Sequence, residues 1–136
     1  MTYLLDTNAC IALISGRPAE VRRRFEAVAG TGAAITTSSI VTYELRYGVA
    51  KSARADANAE RLSAFLGGPI DVLDFTADDA QEAGNVRAAL EVIGRPIGAY
   101  DLLIAGQARR RNARLVTANG AEFGHVDDLK WEDWSV

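Results

Sequence analysis

A chain of 136 residues with 49% hydrophobic and 24% charged residues and a net charge of −3 excludes a general nucleic-acid coat, which carries a basic excess. No apolar run approaches the roughly 20 residues of a membrane span, and Met1–Asp6 lacks the basic start of a signal peptide. One cysteine, Cys10, excludes an internal disulfide and fits a reducing, cytoplasmic setting, and one histidine, His125, cannot build a His-rich zinc site.

Thr2–Leu5 reads as a short buried strand. It stops at Asp6-Thr7-Asn8, whose polar groups precede a short helix over Ala9–Ile14 ended by Gly16. Pro18 is placed as the first residue of a second helix with Val21, Phe25 and Val28 on one face. Ala33–Thr37 is a second buried strand, after which Ser38 or Ser39 caps a helix from Ile40 through Val49. Its inner stripe is Val41, Leu45 and Val49. At ~100° per residue, Glu44 falls about 60° from Val41, which leaves it either flanking the inner face or solvated.

Leu62, Phe65 and Leu66 mark a further helix, broken by Gly67-Gly68-Pro69. Ile70–Phe75 is a short strand. Thr76 and Asp79 make a capping box for a helix with the stripe Ala83, Val86, Leu90 and Ile93. Gly94-Arg95-Pro96 leads into a nearly all-apolar helix from Gly98 to Ala108, the most buried one expected, with Asp101 in its first turn. Asp101 there is either a helix-terminal charge favoured by the dipole or a site residue. Ala113–Thr117 is a fourth strand, and Asn119-Gly120 makes a turn before Glu122 and Phe123. The tail with Trp131 and Trp134 is an edge-closing last strand. Strands alternating with helices indicate a three-layer α/β/α sandwich with a mainly parallel central sheet, formed as one domain over residues 1–136.

Asp6, Glu44, Asp101 and Glu122 each lie just past the C-terminal end of a strand, or on the helix or loop entered from it, the edge where open α/β sheets bind ligands. Four converging carboxylates repel unless a cation stands between them. Hard oxygen donors without sulfur or imidazole suit Mg²⁺ or Mn²⁺, and such ions point to phosphodiester hydrolysis by metal-activated water.

Leu4-Leu5-Asp6-Thr7-Asn8, Tyr43-Glu44-Leu45, Ile97–Ala105 and the Leu115-Val116-Thr117 strand, taken in order, resemble the PIN-domain ribonucleases, and within them the VapC-type toxins of bacterial toxin–antitoxin pairs. The resemblance covers essentially the whole chain. It implies a Mg²⁺- or Mn²⁺-dependent endoribonuclease acting on RNA, restrained by a VapB-like antitoxin and usually homodimeric. It places the family's three most constant acidic positions on Asp6, Glu44 and Asp101. The family often has Asp two residues after the strand's Thr, where this chain has Asn119; Glu122, in the same variable acidic segment, is the substitute. Asn8, Thr7, Thr117 and Asn119 are then groups that orient the carboxylates.

Two other readings stay open at this stage. Asn119 at an often-acidic position keeps alive a catalytically weak PIN-like module that binds RNA or protein. A phosphoryl-receiver domain ranks below both, because it wants a lysine after its last core strand and this chain has Thr117-Ala118-Asn119 there.

Arg22–Arg24 and Arg109–Arg111 are the basic clusters. Adjacent helical residues diverge by about 100°, so neither makes a flat RNA-binding patch, and the second suits dipole compensation. Cys10 reads as a small buried apolar residue. Tyr43 and Tyr47, spaced i, i+4 away from the Val41 stripe, are expected at a homodimer interface, and the two tryptophans as core residues covering the sheet edge.

Overall fold

The computed structural model describes all residues, 1–136. The elements run β1 (Thr2–Leu5), α1 (Thr7–Ser15), α2 (Ala19–Ala29), β2 (Ala34–Ser38), α3 (Ser39–Ala50) and α4 (Ala55–Leu66). They continue with β3 (Asp71–Leu73), α5 (Ala77–Val92), α6 (Ala99–Arg110), β4 (Arg114–Val116), α7 (Gly120–Phe123) and β5 (Trp131–Glu132). The five strands form one sheet in the order β3-β2-β1-β4-β5, parallel at every pairing. The sheet is therefore wholly parallel.

Starting at β1, the chain winds outward through β2 to β3, then returns to the other side of β1 for β4 and β5. Right-handed crossovers then put α1–α4 on one face and α5–α7 on the other. The helix contacts agree, with α1 meeting α2, α3 and α4, and α5 packing along α6. The reversal occurs between β1 and β4. A crevice opens outside their carboxyl ends, the usual ligand position in such sheets.

The central strands are buried on both faces and accordingly read as continuous apolar or threonine runs. Leu4, Leu5, Leu115 and Val116 are the centre of the core, joined by Leu13, Val41, Leu62, Val86, Leu90 and Ile104. Thr36 and Thr37 remain buried because each hydroxyl donates to a β1 carbonyl, Tyr3 O at 2.7 Å and Leu5 O at 2.8 Å. Helix α6 is the most enclosed helix, buried continuously from Ile104 to Ala108. Gly106 is required there, because a Cβ would run into the backbone of Ala83 on α5.

Several expectations needed correction. Ile93 is 57% exposed, because α5 ends at Val92 and Ile93 lies beyond its last turn. Pro18 precedes α2 in extended conformation, and Ala19 begins the helix. Asn119-Gly120 opens a four-residue helix, α7, where the sequence indicated only a turn. Trp134 is buried at 1% exposure, whereas Trp131 is 39% exposed and lies over Gly120, leaving no room there for a Cβ.

Candidate active site

Asp6 is the residue around which the crevice is built. It follows β1 directly, its backbone N–H donates to Val116 O of β4, and its Oδ1 accepts from Ala9 N at 2.8 Å as the cap of α1. Only 6% exposed, its carboxyl is held above the usual range, chiefly by burial. The Thr117 hydroxyl and the Ala9 amide oppose that shift, while the charges of Glu44 and Asp133 add to it.

Glu44 arrives from the other side. Ser38 caps α3 through Ile40 N, and the first turns of that helix carry Glu44 back over α1, where Thr7 Oγ1 donates to Glu44 Oε1 at 2.8 Å. Glu44 is therefore half-buried and tethered, not free in solvent.

Asp101 lies on the first turn of α6. The cap of that helix is Gly98, with no side-chain bond, and the Asp101 carboxylate accepts no hydrogen bond within the protein. The capping role is thus not realised. Its pKa rises to about 6, first through burial and then through the negative charges of Glu122, Asp6 and Glu44. The four carboxylates singled out in the sequence therefore face one another closely enough to share an electrostatic field.

Glu122 stands on α7, after β4. Asn119 N donates to Thr117 Oγ1 at 2.9 Å, and Asn119 Nδ2 donates to Glu122 Oε2 at 3.0 Å. Asn119 thus occupies the often-acidic position as the donor that steadies the neighbouring carboxylate. Asn8 differs from Thr7 and Thr117: it is exposed and bonds to none of the four carboxylates.

Two features escaped the sequence reading. Asp133 is a fifth carboxylate acting on Asp6, just past the end of β5. The strand-end rule that found the others would have found it, had the last strand been bounded. Tyr43 and Tyr100, the residues before Glu44 and Asp101, pack at 5.5 Å between ring centroids with their hydroxyls 3.2 Å apart. Tyr43 thus leans toward α6 while staying 54% exposed, and Tyr47, 58% exposed, carries the Lys51 ammonium 4.8 Å from its ring centroid.

Four arginines of the two basic clusters are tied to the scaffold. Arg22 donates to Leu13 O, Arg24 pairs with Glu132, Arg109 with Glu82, and Arg110 with Asp79. Cys10 is fully buried and its thiol is pushed up to about 12, so it is no nucleophile at neutral pH. His125 is exposed and lines a small cavity with Arg109 and Asp127, one that none of the four carboxylates lines.

No three of the chain's His, Cys, Asp and Glu side chains form a ready-made metal cage. The donor set still fits a hard divalent ion. All donors are carboxylate oxygens, Asp101 has no protein partner, and the mutual repulsion calls for a cation. Magnesium retains several waters and needs only one or two direct carboxylates, so a loose ring is compatible with it.

The PIN domain family matches residues 3–129. The tRNA(fMet)-specific endonuclease VapC of Shigella flexneri is 42% identical over 135 residues, covering 99% of both chains. Ribonuclease VapC2 of Rickettsia felis is 40% identical over 98% of both. Among solved structures, VapBC2 from Rickettsia felis bound to a promoter DNA fragment superposes with a TM-score of 0.92 at 40% identity, covering 98% of this chain and 99% of that one. DNA-bound VapBC from Salmonella typhimurium superposes at 0.89 with 36% identity and 98% coverage of each. With the family matched over residues 3–129 and relatives 40–42% identical over almost the full length, the protein belongs to the PIN-domain family, among its VapC-type ribonucleases.

Proposed function

We propose that this chain is the toxin of a toxin–antitoxin pair, a Mg²⁺- or Mn²⁺-dependent endoribonuclease that cleaves RNA phosphodiester bonds in the cytoplasm. The observation that carries the reading is Asp101, a half-buried carboxylate with no hydrogen-bond partner that faces the charges of Glu122, Asp6 and Glu44. A fold tolerates such repulsion where a cation relieves it.

Asp6 and Asp101 are the carboxylates that would hold the ion, with Glu44 and Glu122 completing the ring. When bound, the ion supplies Lewis-acid stabilisation of phosphate charge and acidifies water for attack. The chain's own contribution is placement. Ala9 N and the Thr117 hydroxyl fix Asp6, Thr7 fixes Glu44, and Asn119 fixes Glu122. Held this way, the oxygens need little rearrangement when substrate arrives.

The partner is a VapB-like antitoxin, as in the VapBC complexes of the relatives. A groove of about 350 Å³ runs from Thr7 and Glu44 along Ile11, Leu45 and Leu62, between α1, α3 and α4. Its mostly apolar wall, ending at the acidic crevice, suits a segment that docks apolar residues and presents a basic one to the carboxylates. The exposed Tyr47 face of α3 is the surface for a homodimer.

The test is cleavage of total bacterial RNA by purified wild type and Asp101→Asn, in Mn²⁺ and in chelator. Discrete products from metal-loaded wild type alone are expected. Equal cleavage by both proteins, or in chelator, would overturn the assignment.

A further inference from the structure

A second cavity, of about 440 Å³, opens on the β5 side of the crevice, between α1, the α1–α2 turn and the residues after β5. It adjoins Asp6. Asn8, Ala9 and Thr117, which surround that aspartate, form part of its wall, and so does Asp133, whose charge acts on Asp6. Its floor is apolar, built by Ala12, Val21 and the almost fully buried Trp134.

Three polar groups stand over this floor with capacity to spare. The Asn8 amide is exposed and spends no hydrogen bond on the protein. Arg17 takes part in none of the chain's ion pairs. Asp133 has Oδ1 held by Ser135 N at 2.8 Å and Ser135 Oγ at 2.6 Å, leaving Oδ2 without a partner.

We propose that this cavity is a nucleotide subsite that receives one unpaired base of the RNA beside the scissile phosphate, with preference for guanine. The inference rests on the nuclease reading above. The volume falls within the roughly 300–1,000 Å³ of small-molecule sites. An apolar floor accepts the face of a base, and unpaired RNA bases are read on their Watson–Crick edges. A carboxylate only accepts hydrogen bonds, so Asp133 selects an edge made of donors. Guanine offers its N1–H and N2 amino hydrogens side by side, and the free Oδ2, with two lone pairs, can accept both. Arg17 meets the phosphate of the same nucleotide, offsetting the repulsion that the acidic ring imposes on the backbone. Asn8 supplies the remaining adaptable contact.

Nucleoside 5′-monophosphates test the subsite without any cleavage or metal. Isotope-labelled full-length protein is titrated in chelator with GMP, AMP, CMP and UMP, following the Asn8 side-chain amide and Trp134 indole signals by NMR. GMP should shift both signals at the lowest concentration. Asp133→Asn should weaken GMP at least fivefold and level the four nucleotides, whereas Arg17→Ala should weaken all four alike. On RNA, both variants should raise KM, and Asp133→Asn should relax the sequence at the mapped ends. Unmoved signals at millimolar nucleotide, or shifts indifferent to both substitutions, would overturn the subsite. So would antitoxin binding lost in Arg17→Ala while nucleotides stay silent, which would give the cavity to a protein partner. Failure of the nuclease reading is separate: wild type would cleave no RNA in Mn²⁺, whatever the nucleotide titrations give.

Discussion

Asp79 and Asp101 hold the same place, three residues past the cap of neighbouring helices that pack along each other, yet their surroundings are opposite. Asp79 is fully buried and fully partnered. Burial alone would raise its pKa, but Thr76 N–H at 2.9 Å, the reciprocal Thr76 hydroxyl and the Arg110 guanidinium outweigh it and hold the carboxyl below the usual range. Asp101 has a glycine for a cap, no donor, and three carboxylates opposite. One charge is locked into the scaffold, and the other is left without a protein partner. A buried charge is thus informative about function when it is left unsatisfied.

The largest effect should come from Asp101→Asn. Removing a carboxylate proposed to hold the ion should cost about a thousandfold in kcat, as expected when several kcal/mol of metal assistance is lost. The same change relieves repulsion, so without metal the protein should melt about 4 °C higher, the shift for about 1 kcal/mol in a domain of this size. A variant both inactive and destabilised would erase the contrast between the two aspartates.

Arg110→Ala should do the reverse. It leaves the buried Asp79 without its guanidinium and should lower the urea midpoint, with Thr76 still holding the carboxylate. Cleavage per folded molecule at saturating Mn²⁺ should stay near wild type. Thr7→Val removes the hydroxyl that tethers Glu44 and should lower kcat/KM roughly fivefold, the equivalent of about 1 kcal/mol.

The pH dependence of stability separates the regions with opposite slopes. A carboxyl raised in the fold binds its proton more tightly there than in the unfolded chain, so the Asp101 contribution falls as pH rises from its ordinary 3.8 through about 6. Asp79 is lowered, so its contribution is present above the ordinary carboxylate range and is lost on acidification. Urea midpoints measured from pH 4 to 7 without metal should show a falling component in wild type that is absent in Asp101→Asn.

Much of this arrangement was legible in the sequence. Apolar runs too short for helices marked β1, β2 and β4, the Thr76–Asp79 box opened α5, and the apolar circumference of α6 announced its burial. What periodicity cannot carry is contact between distant segments. That Tyr43 leans on Tyr100, that Asp133 reaches the field of Asp6, and that Arg110 answers Asp79 all depend on how crossovers bring elements together. The two-residue strand β5 is too short for any pattern, and the end of the crevice that it bounds was missed with it. Asn119 lacks the charge often found at its position, and the hydrogen bond it donates to Glu122 is an orienting contact of the kind its place after β4 suggests.

The most direct test of the central claim is a calorimetric Mn²⁺ titration of wild type beside Asp101→Asn and Arg110→Ala. Saturable binding is expected in wild type and Arg110→Ala, and none in Asp101→Asn. Equal affinity in wild type and Asp101→Asn, or no binding by wild type, would contradict it.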